Sequence, residues 1–340
     1  MTVQTRTARL LEAQPERRGR SPLADAFRQL LKNRLAVVSG IFIIVLLLVA
    51  LFADTAIFTL FTGGEARQLL APYPYDETNF KYHDLGIMER AEDGRLFILG
   101  TDALGRDLLS RTLYGARVSL AVAIVASLVS LVVGLAYGLI SGYSSTRVDN
   151  LMMRFVDFLY GFPFIIFVIL MQVYFKALSR RGGAGFAQFL VDLDKSMGGL
   201  LFIFIAIGLI NWIGMARIAR GQTLSVKEKE FIEAARAIGA SNRRIIFRHV
   251  LPNILGPCIV AETLAIPGYI FLEAFLSFIG LGVNPPTPSW GLMISDSFRA
   301  LTVRPHQVFV PSLALTLTTL AFNFLGDGLR DAFDPRLRGE

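Results

Sequence analysis

The sequence is poor in cysteine, histidine and charged side chains. Its 340 residues include one cysteine, Cys258, so no disulfide bond can form within the chain. The three histidines, His83, His249 and His306, are too scattered to indicate a metal cluster. None of the six lysines follows a glycine, which excludes a phosphate-binding loop of the P-loop type. We therefore expect no disulfide framework, no metal site and no ATP-binding site on this chain.

Charged residues make up 18% of the chain and hydrophobic residues 53%, whereas soluble domains carry about 25% charged residues. The apolar residues are concentrated in long runs, which favours membrane spans over one large soluble core. The first 34 residues are polar and rich in arginine, unlike the short basic region of a secretory signal. The run that follows ends at Asp54 without a cleavage pattern, so we interpret it as a retained span.

Six segments are long and apolar enough to cross a bilayer core of about 30 Å, which takes roughly 20 residues. Prolines are tolerated inside such segments because neighbouring helices satisfy the freed backbone groups. The sequence therefore predicts an all-α integral membrane protein with six transmembrane helices. The segments are Leu35–Ala53, Val118–Ile140, Leu151–Tyr174 with Pro163 inside it, Gly199–Met215, Ile254–Leu281 with Pro257 and Pro267, and Val308–Leu325.

The distribution of lysine and arginine predicts the orientation. If both termini are cytoplasmic, the inside segments carry 21 of the 34 basic residues, as the positive-inside rule requires. Residues 1–34 would then form a cytoplasmic tail whose residues 21–34 make an interfacial helix, capped by Ser21 and started by Pro22. Residues 54–116 would form an enlarged extracytoplasmic lobe. The remaining divisions are the first span at 35–53, a five-helix core at 117–326 and a cytoplasmic tail at 327–340.

The most informative segment is Ser225–Asn253, between the fourth and fifth spans. Ser225 and Glu228 have the spacing of a capping box, which predicts a helix start. The apolar face of that helix would contain Phe231, Ala234, Ala235 and Ile238, and Gly239 would end it in a left-handed conformation. Ser241 can cap a second short helix. Two short helices around a glycine, attached to two spans, form a rigid device that can transmit movement into the membrane.

Two other interpretations of this segment were weighed. A solvated basic loop would obey the positive-inside rule without any further role. A DNA-binding helix-turn-helix would share the alanine–glycine spacing, but it needs a free recognition helix in a soluble domain. Here the second helix runs directly into a span, so we expect no nucleic-acid partner.

The segment EAARAIGASNRRIIFRHVLPN, at 233–253, resembles the EAA loop of permease subunits in binding-protein-dependent ABC importers. Three further blocks resemble the second permease of the dipeptide and oligopeptide branch. They are LGTDALGRDLLSRTLYGARVSL at 99–120, EAFLSFIGLGVNPPTPSWG at 273–291 and NFLGDGLRDAFDPRLR at 323–338. The lobe and the segment between spans three and four are longer than in many members of that family.

The resemblance implies a function and a set of partners. A solute-binding protein would deliver di- or oligopeptides to two homologous, paired permeases in a bacterial or archaeal cytoplasmic membrane. Two ATPase subunits, which bind ATP and magnesium, would dock on the EAA loops and drive alternating access. The resemblance therefore implies no cofactor and no catalytic residues on this chain. The matching docking positions here are Glu233, Ala234, Ala235, Gly239, Ala240, His249, Pro252 and Asn253. The same machinery in relatives handles nickel complexes, glutathione or glycosides, and these stay alternative solutes.

Two further groups of polar residues are candidates for other roles. Asp102, Arg106, Asp107 and Arg111 precede the second span and predict a polar helix on the outer membrane surface, with a role as a scaffold or a substrate gate. Glu262 and Glu273 lie within the fifth span, where carboxylates are costly and usually face the bundle or a wet cavity. They are candidates for lining the pathway or for pairing with another helix.

Two other classes of function were compared with the importer permease. A secondary transporter would carry its own coupling site and often inverted repeats, which we do not find. An intramembrane protease would need a nucleophile and a base within the spans, and the one histidine near a span, His249, has no positioned partner. Dependence on a separate ATPase distinguishes the permease from both.

Overall fold

The computed structural model describes residues 22–54, 68–161, 163–181 and 185–333, and most of them are helical. The predicted cap at Ser21, most of the N-terminal tail and the end of the C-terminal tail lie outside these residues. The helices are α1 Pro22–Lys32, α2 Arg34–Leu51, α3 Leu108–Tyr143, α4 Thr146–Tyr160, α5 Phe164–Arg181, α6 Phe186–Ser196, α7 Leu200–Lys227, α8 Glu230–Ala237, α9 Asn242–Ile245, α10 Leu251–Phe278, α11 Trp290–Ser297 and α12 His306–Phe333. Short 3-10 turns cover Phe80–Tyr82 and Phe298–Ala300, a π-helical turn covers Ile246–Val250, and two short strands are β1 Glu89–Arg90 and β2 Leu96–Phe97.

Five helical segments are long and apolar enough to cross a membrane: α2, α3, α7, α9 continued into α10, and α12. Helices α4 and α5 pass the same test together, although they are bent by 73° at a short break. Pro163 lies at that break, immediately before α5, because proline removes a backbone donor and disfavours helix in the residue before it. Counting the bent pair as one span confirms the predicted six-span helical fold.

Helix α3 begins ten residues before the predicted start of the second span. Asp107 starts it, because its Oδ2 accepts the Ser110 N–H at 2.7 Å in an N-cap bond. The predicted polar helix on the membrane surface is therefore wrong. Asp102 and Arg106 lie in the loop before α3, and Arg111 lies in the first turns of the spanning helix itself.

A compact lobe of residues 68–107 covers one end of the bundle, which we call the lobe end. Strands β1 and β2 pair antiparallel with Glu89 opposite Phe97. The lobe is fixed to α12 by Gln307, whose Nε2 donates to Asp84 Oδ1 and to the Thr101 carbonyl, both at 2.8 Å. We call the opposite end, which carries residues 229–250, the loop end.

The most extensive helix contact in the bundle joins α3 to α7 along a glycine stripe. Gly134, Gly138 and Gly142 recur at every fourth residue of α3 and face α7. A Cβ at Gly138 would lie 2.3 Å from the Ala216 carbonyl oxygen, so only glycine permits this separation. Small residues at this spacing let helix backbones approach closely in membranes. The sequence shows this stripe plainly, although it is absent from our predictions.

Candidate functional site

We call residues 229–253 the coupling loop. Its first helix, α8, ends as the sequence predicts. Gly239 has φ +84°, which confirms the left-handed residue. The Gly239 N–H donates to the Arg236 carbonyl at 2.9 Å, and the Ala240 N–H donates to the Ala235 carbonyl at 3.0 Å. These two bonds form a Schellman motif, which satisfies carbonyls at the end of a helix. No described atom lies within 4 Å of a Cβ built at Gly239, so the backbone conformation alone requires glycine there.

The start of α8 differs from the prediction. Helix α7 continues through Ser225 to Lys227, and α8 begins at Glu230 after Lys229, whose side chain makes no cap bond. The predicted capping box of Ser225 and Glu228 is therefore wrong. The helix continues because its backbone N–H groups are already bonded within α7, which leaves the Ser225 hydroxyl no free donor to cap.

The second half of the loop leads directly into α10. Ser241 accepts the Arg244 N–H at 3.4 Å, which confirms that serine as a cap. Helix α9 then passes through the π-helical turn into α10, which has Pro252 in its first turn. Asn253 donates through Nδ2 to the His249 carbonyl at 2.6 Å. His249 and Asn253 thus lie on the continuous helical connection between the loop and the membrane.

One face of the coupling loop is packed against its own bundle. Ile232, Ala235 and Ile245 are buried in a cluster with Leu139 of α3 and Ile254 of α10. Tyr143 adds a polar contact, since its hydroxyl donates to Asn242 Oδ1 at 3.1 Å. The loop is therefore attached by apolar packing to two spanning helices.

The other face of the loop is exposed and apolar. Ile238 is 86% exposed, Phe247 66% and Phe231 45%. Glu233 and Ala234, which lie on α8 with Phe231, are exposed as well. The sequence places Ala235 on this face as well, but it is 5% exposed and packs inward instead. The periodicity of apolar residues identified a helix correctly, and the structure shows that Phe231, Ala234 and Ile238 point away from the protein core.

Two intramembrane carboxylates are enclosed between α3 and α10. Glu262 accepts hydrogen bonds from Ser130 at 3.0 Å and Tyr269 at 2.8 Å. Glu273 accepts from Ser119 at 2.8 Å and Ser277 at 2.7 Å. They are only 3% and 0% exposed, so of the two predicted roles the geometry favours pairing between helices over lining a pathway.

The polar group before α3 is brought together at the lobe end. Arg106 Nε lies 2.6 Å from Asp102 Oδ2, and its Nη2 lies 3.5 Å from Asp296 of α11. Arg111 is 1% exposed and donates to the Tyr75 carbonyl at 3.1 Å. Burial raises the pKa of Asp107, and it also raises that of Asp296 against the opposing effect of Arg106. Asp102, Arg106 and Arg111 are buried, and through the exposed Asp296 this network joins the lobe and α3 to α11, which favours the scaffold over the gate.

A second ion pair fixes α4 to α7 at the loop end and was not predicted. Arg220 donates to both carboxylate oxygens of Asp149, at 2.6 Å each, and Ser141 donates to the same carboxylate at 2.6 Å. Bidentate pairs of this kind are the strongest charged hydrogen bonds. In the sequence, Asp149 and Arg220 stand out only as an acid and a base at the margins of apolar runs, and this position does not show that they pair with each other.

Comparisons with known proteins identify the family to which the chain belongs. Residues 134–339 match the family model described as "Binding-protein-dependent transport system inner membrane component", and they include the whole coupling loop. The chain belongs to this family of transport permeases. Residues 21–86 match a second model, the "N-terminal TM domain of oligopeptide transport permease C", so the first part of the lobe follows a known pattern.

Three curated relatives resemble the permease over most of their length. The "Oligopeptide transport system permease protein OppC" of Haemophilus influenzae is 42% identical over 94% of this chain and 90% of its own. The "Dipeptide transport system permease protein DppC" of Bacillus subtilis is 37% identical over 92% and 86%. The "Glutathione transport system permease protein GsiD" of Pectobacterium atrosepticum is 35% identical over 94% and 93%.

Family membership fixes the broad role of the permease. It is a multi-span inner-membrane component of an ATP-driven importer and not an enzyme. Such a component works with ATPase subunits and a solute-binding protein. Among the described residues, no group of three or more His, Cys, Asp or Glu side chains is arranged to hold a metal ion.

Proposed function

We propose that the permease imports short peptides as one of two homologous, paired membrane subunits. The names of the relatives support a peptide solute, because OppC, DppC and GsiD belong to systems for oligopeptides, dipeptides and glutathione. Glutathione is itself a modified tripeptide, so it is the second candidate. Pairing with a different permease is supported by the resemblance to the second of two permease types.

The coupling loop is the observation on which the mechanism depends. Its exposed apolar face, formed by Phe231, Ile238 and Phe247, is shaped for burial against an ATPase subunit, with Glu233 offering a carboxylate to a basic group there. Burying large apolar side chains is the main source of stability in such a contact. Its other face is packed on α3 and α10, so movement of a docked ATPase is passed to the spans. Alternating access then exposes the solute to each side in turn.

This mechanism requires the loop end to be cytoplasmic and the lobe end to be outside. Single cysteines in place of Lys229 and Glu92, both exposed, test the orientation. The native Cys258 is fully buried and gives little background. We expect an impermeant maleimide to label position 92 in intact cells and position 229 only after lysis. Labelling of position 229 in intact cells would reverse the orientation.

Reconstitution tests the function as a whole. The permease, its partner permease, the ATPases and the binding protein would be placed in proteoliposomes and supplied with di-, tri- and oligopeptides, glutathione, a nickel complex and a glycoside. We expect short peptides to stimulate ATP hydrolysis and to accumulate inside, and the permease alone to hydrolyse no ATP. Uptake of the nickel complex or the glycoside without peptide uptake would contradict the proposal.

A further inference from the structure

A cavity of about 250 Å³ lies at the lobe end, away from the coupling loop. Its lining comes from the second half of α5, from α6, from the start of α7, from the segment that follows α10 and from α11. Helix α6 belongs to the connection between spans three and four that is longer than in many members of the family. Its polar lining includes Gln172, Lys176, Arg180, Asp194 and Asn284.

Hydrogen bonds between separate segments hold the walls of this cavity in place. Lys176 Nζ donates to the Gly280 carbonyl at 3.1 Å, which joins α5 to the segment after α10. The Asn284 N–H donates to the Gly198 carbonyl at 3.1 Å, which joins that segment to the turn before α7. Gly199 has φ +87°, and a Cβ there would lie 2.7 Å from Asn284 Nδ2, so the close approach requires glycine.

Two side chains of the lining, Gln172 and Lys176, keep hydrogen-bond donors that have no partner among the described residues. Gln172 is 1% exposed, and its Nε2 has no acceptor among the described residues. An amide donor buried in this way costs free energy unless something accepts its hydrogen bond. Asp194 is the one carboxylate among the described lining residues, and its Oδ1 accepts the Phe202 N–H at 3.2 Å at the start of α7. Lys176 keeps two further donors beyond its bond to Gly280, and the exposed Arg180 adds a second positive charge.

We propose that this cavity binds the C-terminal carboxylate of the transported peptide as it leaves the binding protein. The inference rests on the proposed peptide function and on the lobe end facing outwards. A carboxylate supplies the acceptors that Gln172 Nε2 and the Lys176 ammonium require, and two cations against one acid give the cavity a net positive charge. That net charge favours the carboxylate of the peptide over its ammonium group.

Pairs of peptides and permease variants test the site together. Proteoliposomes with the complete transporter would be supplied with one peptide as the free acid, the C-terminal amide and the N-acetylated acid, each at a concentration that saturates the binding protein. The variants are Lys176→Gln and Gln172→Leu, and the matched control is Lys195→Gln, which removes the same charge from an exposed position on α6. Initial uptake and peptide-stimulated ATP hydrolysis would be measured for each combination.

We expect Lys176→Gln to slow uptake of both acids about tenfold, the effect of losing one charged hydrogen bond, and to leave the amide unchanged. Gln172→Leu should give a smaller loss with the same selectivity, and Lys195→Gln should give none. An equal loss for acid and amide, or no loss for either, would overturn the carboxylate site while leaving peptide transport intact. Failure of the unmodified transporter to take up any peptide would overturn the proposed function itself, and this inference with it.

Discussion

Replacing Gly239 by valine tests whether the turn of the coupling loop transmits force. Gly239 has φ +84°, and a Cβ built there meets no atom within 4 Å, so the substitution adds backbone strain without a clash. A left-handed L-residue costs about 1–2 kcal/mol, and a β-branched one costs more. The strain is relieved if the Schellman bonds from Gly239 and Ala240 break and the end of α8 unwinds. The spans should still insert, because insertion depends on their own apolar runs and not on this turn.

The expected result is a weaker complex with the ATPase. A strain of about 1–2 kcal/mol corresponds to an increase in Kd of about 5- to 30-fold, if docking requires the wound form. Permease in nanodiscs would be titrated with purified ATPase, and solute-stimulated hydrolysis would be measured in the complete transporter. The affinity for the ATPase and the solute-stimulated hydrolysis should decline together.

Two matched controls separate strain at the turn from other effects. Gly94→Val carries the same strain, since Gly94 has φ +87° and an equally open position, but it lies in the lobe. Gly221→Val adds the same side chain at an open helical position in α7, where φ is ordinary. Neither should change the affinity for the ATPase. If Gly239→Val binds the ATPase as tightly as these controls do, the turn does not govern docking and the reasoning fails.

Further predictions concern docking charge and helix packing. Glu233→Lys should abolish solute-stimulated ATP hydrolysis without loss of folded protein, whereas Glu230→Lys on the same helix should retain most of it. Co-purification of the ATPase measures docking of both variants. Equal effects would show that only the net charge of the helix matters. Gly138→Ala should lower the free energy of unfolding by about 1–3 kcal/mol, because its Cβ would lie 2.3 Å from the Ala216 carbonyl oxygen. Gly214→Ala, whose Cβ would meet open space, should be neutral or stabilising. Thermal unfolding of the two purified variants measures both effects.

Hydropathy predicted the number and order of the spans because lipid leaves backbone groups no partner outside a helix. It did not predict where the helices end. Helix α3 starts at Leu108 and α7 runs on to Lys227, since a helix continues through polar residues until a cap or a glycine stops it. The glycine at position 239 correctly predicted the end of α8, whereas the spacing of Ser225 and Glu228 did not predict where that helix starts.

Side-chain roles were predicted less well, because they depend on which helices become neighbours. Glu262 and Glu273 were identified as unusual, but their serine partners on α3 lie more than 130 residues away in the chain. Ala235 was assigned to the wrong face, since periodicity shows that a helix has faces without showing which one is covered. The lining of the cavity around Gln172 combines five separate segments and has no local signature in the sequence.

The glycine stripe holds α3 close to α7 over the turns of α3 that are nearest the coupling loop. Helix α3 has 36 residues, so it is about 54 Å long, and it extends from the coupling loop to Asp107 beneath the lobe. A tilt of about 5° at the loop end would displace the opposite end by about 5 Å, without any hinge between them. We therefore expect the lobe to move when a docked ATPase tilts α3.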